Sequence, residues 1–369
     1  MIKVRGGCRR LAVTVGAALI LTLAPIATGP AYADAQVGTY TIGKNLTLYR
    51  STWGAPVAVH RDPAALPGAA IALLGSGSTV PRVFAINASG ALVMWSTSTG
   101  AGGQTSVEGP GGQALPGTSV TAAGTEVFFV GRYGAIYNKS YRAGTRVGPR
   151  QITAVGVAAP GAVVAAIPGS TVGVAFVGID GAVRVVRQNS AGTWMTSLAS
   201  PPNFAVPGGG LAVIGNAAGM VTDTDGRIWQ VRLTGGPVPD PWQPVAVAGV
   251  GAAPPGAHLA TGLFSGSLAV VMFAGEDGAI RATSNVNGTW HEPTPVTNAG
   301  VAIPGRPIAL TVHGDHLHGD WCGNSLAWQV RIPRPVPWPG PHPEPWNATT
   351  YSFQAPNIQP GGYLASLLL

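Results

Sequence analysis

The chain is poor in charge, in lysine and in cysteine. Of its 369 residues only 9% are Asp, Glu, Lys or Arg, against roughly a quarter in an ordinary soluble domain. Acidic and basic runs of the kind that mark disordered arms are missing. So is the concentrated basic stripe that neutralises nucleic-acid phosphates, which excludes a nucleic-acid partner. The lysines are Lys3, Lys44 and Lys139, and the cysteines are Cys8 and Cys322. No run of 18 apolar residues free of Gly, Pro or a polar break follows the N-terminal region, so no later transmembrane helix is expected. With 54 Gly and 33 Pro, the sequence leaves almost no room for long helical periods, which argues against an α/β or two-domain architecture.

Met1 to about Ala33 carries Lys3, Arg5, Arg9 and Arg10, then an apolar stretch from Leu11 to Pro25, then the small-residue run ATGPAYADA. Charge, apolar run and A-x-A site in that order predict a secretory signal peptide over residues 1–33. Cleavage after Ala33 or after Ala35 fits equally well, and the expected location is extracellular. Four of the 21 basic residues leave with the leader, so 17 face 14 acids and the net charge falls near +3. Cys8 leaves too. Cys322 then stands alone, so stability must come from packing rather than from an internal disulfide.

What the sequence does contain is a repeat. Pro-Gly followed by a small apolar segment begins at Pro67, Pro116, Pro160, Pro207, Pro255, Pro304 and Pro360, at spacings of 49, 44, 47, 48, 49 and 56. Between these lies a Gly turn followed by a strand-like run: SGALVMW, YGAIYNK, DGAVRVV, DGRIWQV and DGAIRAT. Units of about 47 residues with several short strands predict an all-β, seven-bladed propeller of four-stranded antiparallel blades over residues 36–369. In one unit, strands A to D are expected at Ile71–Leu74, Arg82–Asn87, Leu92–Ser98 and Thr105–Glu108. The Ser-Gly and Asp-Gly pairs between B and C supply the positive φ of a tight hairpin.

In strand A the fourth residue after each Pro-Gly pair is Ala72, Thr121, Ala165, Ala212, Ala260, Ala309 or Ala365, always small. Innermost strands crowd around the axis, so a small side chain here is what close approach requires, and the Ile, Val or Leu before it is expected to fill the layer between blades. Strands B, C and D of a first blade are expected at Tyr40–Thr41, Leu46–Tyr49 and Val57–Val59, and the chain closes on a lone strand A. The C-terminal strand should therefore complete the N-terminal three and remove an open edge.

The repeats FVGIDGAVRVVRQNSAGTWMTSL and FAGEDGAIRATSNVNGTWHEPTPV share D-G-x-[IV] followed by G-x-W. In this pattern the chain resembles secreted bacterial fucose-binding lectins of the Photorhabdus lectin type. The resemblance implies a propeller and a carbohydrate ligand. The second and third repeats depart from it in lacking G-x-W.

Four-stranded blades put the Asp-Gly turns beside the Pro-Gly loops on one face, and Trp53, Trp194, Trp242 and Trp290 near the other. Each Trp is a candidate stacking platform for a sugar ring or a structural residue packed under the next blade, and recurrence in register favours packing. Asp180, Asp225 and Asp277 are candidate acceptors for sugar hydroxyls or simply turn residues. Arg184 and Arg281 follow them on strand C as donors or as solvated side chains. In HGDHLHGDWCG, His316, His318, Asp320 and Cys322 share one face of an extended strand, a spacing that fits a transition metal unless Gly319 bends the chain. No other cofactor is indicated. A Pro-rich insertion at residues 331–347, extended by its seven prolines, presents Trp338 and Trp346 from the last blade to a ligand or protein partner, or folds them back.

Metalloprotease, nucleophile-elbow and phosphate-loop signatures are missing. The expected function is thus a secreted, non-catalytic glycan-binding propeller. A protein-interaction scaffold using the propeller face or the Pro-rich loop is the alternative, and a secreted hydrolase the next.

Overall fold

Short runs of Val, Ile, Phe and Thr broken by Gly, Pro, Asn and Asp make strands of four to seven residues the natural elements of this chain. The structure, a computed structural model, describes residues 37–42, 48–51, 57–60, 65–66, 69–74, 81–96, 105–142, 148–169, 171–233, 242–264, 268–286, 288–313, 316–323, 327–333, 349–353 and 364–368. The described residues form an all-β propeller of four-stranded antiparallel blades. The expected leader, Trp53, Trp338, Trp346 and residues 334–347 of the Pro-rich insertion lie outside the described residues.

Sheet one contains β1 (Val37–Ile42), β2 (Leu48–Ser51) and β3 (Val57–His60). Sheet two contains β4 (Ile71–Leu74), β5 (Arg82–Ile86), β6 (Leu92–Ser96) and β7 (Thr105–Val107). Sheet three contains β8 (Val120–Ala123), β9 (Glu126–Val130), β10 (Ile136–Ser140) and β11 (Arg150–Gln151). Sheet four contains β12 (Val164–Ile167), β13 (Gly173–Val177), β14 (Val183–Gln188) and β15 (Trp194–Leu198). Sheet five contains β16 (Leu211–Ile214), β17 (Ala218–Thr222), β18 (Ile228–Arg232) and β19 (Val245–Ala248). Sheet six contains β20 (Leu259–Leu263), β21 (Ala269–Ala274), β22 (Ile280–Val286), β23 (Thr289–Trp290) and β24 (Thr294–Pro295), the last two both pairing with β22. Sheet seven contains β25 (Ile308–His313), β26 (His316–Cys322), β27 (Ala327–Pro333) and β28 (Thr349–Phe353).

The last strand, β29 (Leu364–Leu368), pairs antiparallel with β1, Leu364 opposite Thr41 and Leu368 opposite Val37. Sheet one therefore runs β29-β1-β2-β3 and joins the two ends of the described chain. Successive first strands are neighbours in the order β4, β8, β12, β16, β20, β25, β29 and back to β4. At the hub they are stitched by backbone bonds: the N–H groups of Val163, Gly210 and His258 donate to the carbonyls of Gly208, Gly256 and Gly305 at 3.3, 2.9 and 3.0 Å.

The core lies in the seams between sheets. Among the described residues, each seam from one–two to six–seven holds an apolar layer. Examples are Tyr40, Leu48 and Val83 in the first, Phe84 and Phe129 in the next, and Met272, Leu317 and Trp321 in the last. Strand A supplies two rows to these layers. Ile71 belongs to the layer against sheet one, whereas Ala72 belongs to the layer against sheet three with Phe84, Ile86 and Val120. Ala165, Ala212 and Ala260 pack into later seams in the same way. Alternate side chains of a strand point to opposite sheet faces, so both rows enter seams. Adjacent blades converge toward the axis, and small residues suit the narrow end of that wedge while Phe and Trp fill the wider part.

The seam between sheets two and three carries an additional buried ion pair. Lys139 Nζ lies 3.1 Å from Glu108 Oε2, with the side chains 5% and 7% exposed, and Ser106 donates its hydroxyl to the same carboxylate. Burial pushes the Glu108 carboxyl up, but the Ser106 and Lys139 hydrogen bonds and the Lys139 charge prevail and hold it below the usual range.

Candidate functional site

The repeated Gly turn is built from backbone first. In five repeats a Gly at the end of the turn has φ between +73° and +76° (Gly90, Gly134, Gly181, Gly226, Gly278). Its carbonyl accepts the N–H of an Ala in the following loop: Ala114, Ala158, Ala205, Ala253 and Ala302, at 2.8–3.2 Å. The turn is thereby clasped to the loop that leads to the next sheet. In four of the five an Asn or Asp completes the turn in one of two ways. Asn87 and Asp223 sit at its first position, and Asp223 Oδ1 accepts the N–H groups of Asp225 and Arg227 at 2.8 and 2.9 Å. Where the first position is Gly178 or Gly275, the acceptor is two residues later, Asp180 or Asp277, bonded to the N–H of Ala182 or Ala279.

Only the second arrangement brings charges together. Arg184 Nη2 meets Asp180 Oδ2 at 2.6 Å, and Arg281 Nη2 meets Asp277 Oδ2 at 2.9 Å. Both guanidiniums lie against a glycine: a Cβ on Gly178 or Gly275 would sit 2.7 or 2.9 Å from the Arg Nε. For Asp180, the hydrogen bonds from Arg184 and Ala182 and the Arg184 charge outweigh a burial effect that pushes the carboxyl up, and hold it below the usual range. For Asp277 the backbone N–H of Ala279 is the largest cause of the same lowering, followed, after opposing burial, by Arg281.

Arg281 and Asp277 open onto a cleft of about 400 Å³ between sheets five and six, lined also by Glu276, Glu292, Val250 and Gly251. A fixed guanidinium beside carboxylates offers donors and acceptors to adjacent hydroxyls in one shallow space, the complement of a sugar edge. Asp225 does not join this site. It is exposed, and Asp223 takes its place in the turn, with Trp229 Nε1 donating to Asp223 Oδ2 at 2.7 Å. Sequence reasoning missed Asn87, Asp223, Glu276 and Glu292. The signal for Asp223 was the spacing D-x-D-G, whose first acidic residue reaches two N–H groups that the second cannot.

The described tryptophans pack toward the preceding sheet. Trp194 stands edge-on to Phe128 at 5.8 Å, and Trp242 edge-on to Phe204 at 4.5 Å while donating to the Ala199 carbonyl. Trp290 donates to Gln230 Oε1 at 2.8 Å. All three keep partial exposure. Trp194 also lines a second cleft, of about 340 Å³, at the opposite end of the seam between sheets three and four, with Glu126, Arg142, Gln188 and Asn189. Glu126 is held there by Asn138 and Ser140, which donate to it at 2.9 and 2.7 Å.

The His-rich segment is the regular strand β26, paired without a break on both sides, so Gly319 does not bend it. His316, His318 and Asp320 alternate along one face, their order expected. The two imidazoles are 6.5 Å apart between ring centroids, and strand rise carries Asp320 about 13 Å beyond His316. Among the described residues no three His, Cys, Asp or Glu side chains gather as a metal would require; the side chain of Cys322 is outside them. The expected metal set is thus not assembled by the three described members. His318 and Asp320 are instead buried, 5% and 2% exposed.

No family model matches the chain, and no curated protein does. Solved structures do. The BP39L lectin of Burkholderia pseudomallei superposes with a TM-score of 0.68 at 24% identity, over 80% of this chain and 88% of that one. AofleA of Arthrobotrys oligospora gives 0.54 at 15%, over 83% and 90%. The Aleuria aurantia lectin, solved as a mutant in complex with Fucα1-6GlcNAc, gives 0.52 at 13%, over 82% and 100%. These likenesses establish the fold.

Proposed function

We propose that this chain is a secreted, non-catalytic carbohydrate-binding protein whose seven sheets are the blades of one closed propeller. The ring of neighbouring first strands and the β29–β1 pairing support that closure. The observation that carries the binding reading is the Asp277–Arg281 pair fixed at the edge of an open cleft with Glu292 and Glu276. Its volume suits one or two sugar rings, and its carboxylates and guanidinium offer acceptors and donors to adjacent hydroxyls. That three proteins of similar fold bear the printed name of lectin or were solved with a fucosylated sugar favours the same ligand class. Export by the N-terminal leader belongs to the proposal. Among the described residues no helix is long and apolar enough to cross a membrane.

A glycan array followed by calorimetry on its best ligand tests the reading. Binding is expected in the millimolar-to-micromolar range, and Arg281→Ala should weaken it at least tenfold, the loss of one charge-assisted hydrogen-bond set. Silence across fucosylated, galactosylated and sialylated glycans overturns it.

A further inference from the structure

The Asp–Arg clasp of sheet six has a counterpart two sheets earlier with different walls. Gly178, Asp180, Gly181 and Arg184 occupy the places of Gly275, Asp277, Gly278 and Arg281. The ion pair forms in both, and in both the guanidinium crosses a glycine. The loops opposite also agree. Gly156 and Gly251 have φ of +76° and +68°, and their N–H groups donate to the carbonyls of Tyr133 and Asp225 in the preceding turn. One backbone frame is therefore built twice on the same face of the propeller.

The side chains around it differ in kind. Glu276, beside Asp277, is replaced beside Asp180 by Ile179, which is 55% exposed. Glu292, the second residue after Trp290, corresponds to Thr196, the second after Trp194. Val155 on the loop is 61% exposed, as its counterpart Val250 is at 65%, while Tyr133 on the adjoining turn, 69% exposed, stands where the other clasp has Asp225. Backbone bonds tie these positions together: Gly156, next to Val155, bonds to Tyr133, and Ile179 N–H donates to Val157 O at 3.2 Å. Three large apolar side chains held in solvent around a polar clasp are unusual for a surface without a ligand. Arg184 spends one N–H on Asp180 at 2.6 Å, while its Nε is buried without an acceptor. Its side chain is one-quarter exposed, so the guanidinium keeps donors for an incoming hydroxyl.

We propose that the Asp180–Arg184 clasp between sheets three and four is a second saccharide subsite, selective for a neutral sugar that carries an apolar substituent such as an acetamido methyl. The proposal rests on the carbohydrate-binding reading. It divides the work of the two clasps by their walls. In the cleft of sheets five and six, three carboxylates face one guanidinium; a methyl group there displaces water from charge, whereas an ammonium is welcome. Beside Asp180 the same methyl meets Ile179 where the other clasp has Glu276. Burying one methyl is worth about fourfold in affinity.

Methyl-resolved NMR of the full secreted chain separates the outcomes, with N-acetylglucosamine and glucosamine as probes at pH 6. N-acetylglucosamine is expected to move the Ile179 methyl signal in the parent and in Arg281→Ala, and to leave it unmoved in Arg184→Ala. Ile179→Glu, an exposed change that copies Glu276, should swing the preference of this subsite toward glucosamine by at least fourfold. An Ile179 signal that ignores both sugars while Val250 responds overturns the second subsite and leaves the first standing. If neither signal moves with either sugar or with the best array ligand, the carbohydrate reading fails and takes this one with it. Should Arg184→Ala not fold, an unchanged preference in Ile179→Glu overturns the proposal by itself.

Discussion

Gly226 and Gly156 show how one residue type does two different jobs in this chain. Both have positive φ, +74° and +76°. At Gly226 an added Cβ would lie 2.2 Å from the Ala253 carbonyl oxygen; at Gly156 it would meet nothing within 4 Å. Gly156→Ala therefore carries only the left-handed backbone cost, about 1 kcal/mol. Gly226→Ala must also part the turn from its loop, and should lose at least about 3 kcal/mol. Urea denaturation of the two variants measures the difference, and equal losses would show that the clasp contributes nothing. The same contrast explains what was legible. Asp-Gly and Ser-Gly announced hairpins because positive φ is a local demand. The contact with Ala253 was not announced, since it depends on a loop some 27 positions on.

At the scale of the element, strand order, type and the pairing of the last strand with the first sheet were readable, and the strand ends were not. The second unit was expected at Ile71–Leu74, Arg82–Asn87, Leu92–Ser98 and Thr105–Glu108. It forms at Ile71–Leu74, Arg82–Ile86, Leu92–Ser96 and Thr105–Val107. In sheet one the strand expected at Leu46–Tyr49 is described over Leu48–Ser51; Leu46 and Thr47 lie outside the described residues, and the extension to Ser51 follows from pairing with Thr39 and Tyr40. The inner strands also hold a group that only assembly perturbs. His258, ahead of β20, is largely buried at the hub, and burial first, then the Arg306 charge, pushes its imidazole down to about 4. An unfolded chain takes up that proton near pH 6.5, before the folded one does. Stability is therefore complete above about pH 6.5 and falls as pH drops toward 4, by about 3 kcal/mol from this group. His258→Gln should remove that part of the slope between pH 6.5 and 4 in urea midpoints. An unaltered slope would place the acid sensitivity elsewhere.

For the molecule as a whole, closure is the decisive feature. β29 supplies the first strand of sheet one and also lies beside β25 and β4. Removing residues 360–369 would leave β1 with an open edge and uncover the hub side of two neighbouring sheets, so the truncated chain is expected to melt at least 10 °C lower and to self-associate. Size-exclusion chromatography and thermal melts report this, and a synthetic peptide of residues 360–369 added in trans should restore part of the loss. A truncated chain that melts like the parent would mean that the pairing adds nothing. On sheet seven, Leu317 and Trp321 face sheet six, while the alternating His318, Asp320 and Gln329 are buried on the other face. Of the candidate metal ligands on that strand, His318 and Asp320 are therefore buried.

The amino-acid sequence by itself determined the class of fold, the repeat length, the hairpins and the use of the last strand to complete the first sheet. Each follows from local chemistry or from periodicity: Pro and Gly forbid helices, alternation favours strands, and positive φ selects Gly. Only the tertiary structure decided which charged residues meet across a seam, why Asp223 rather than Asp225 anchors its turn, and where Glu276 and Glu292 converge. Those outcomes depend on distances between blades, and such distances arise from packing of side chains far apart in the chain.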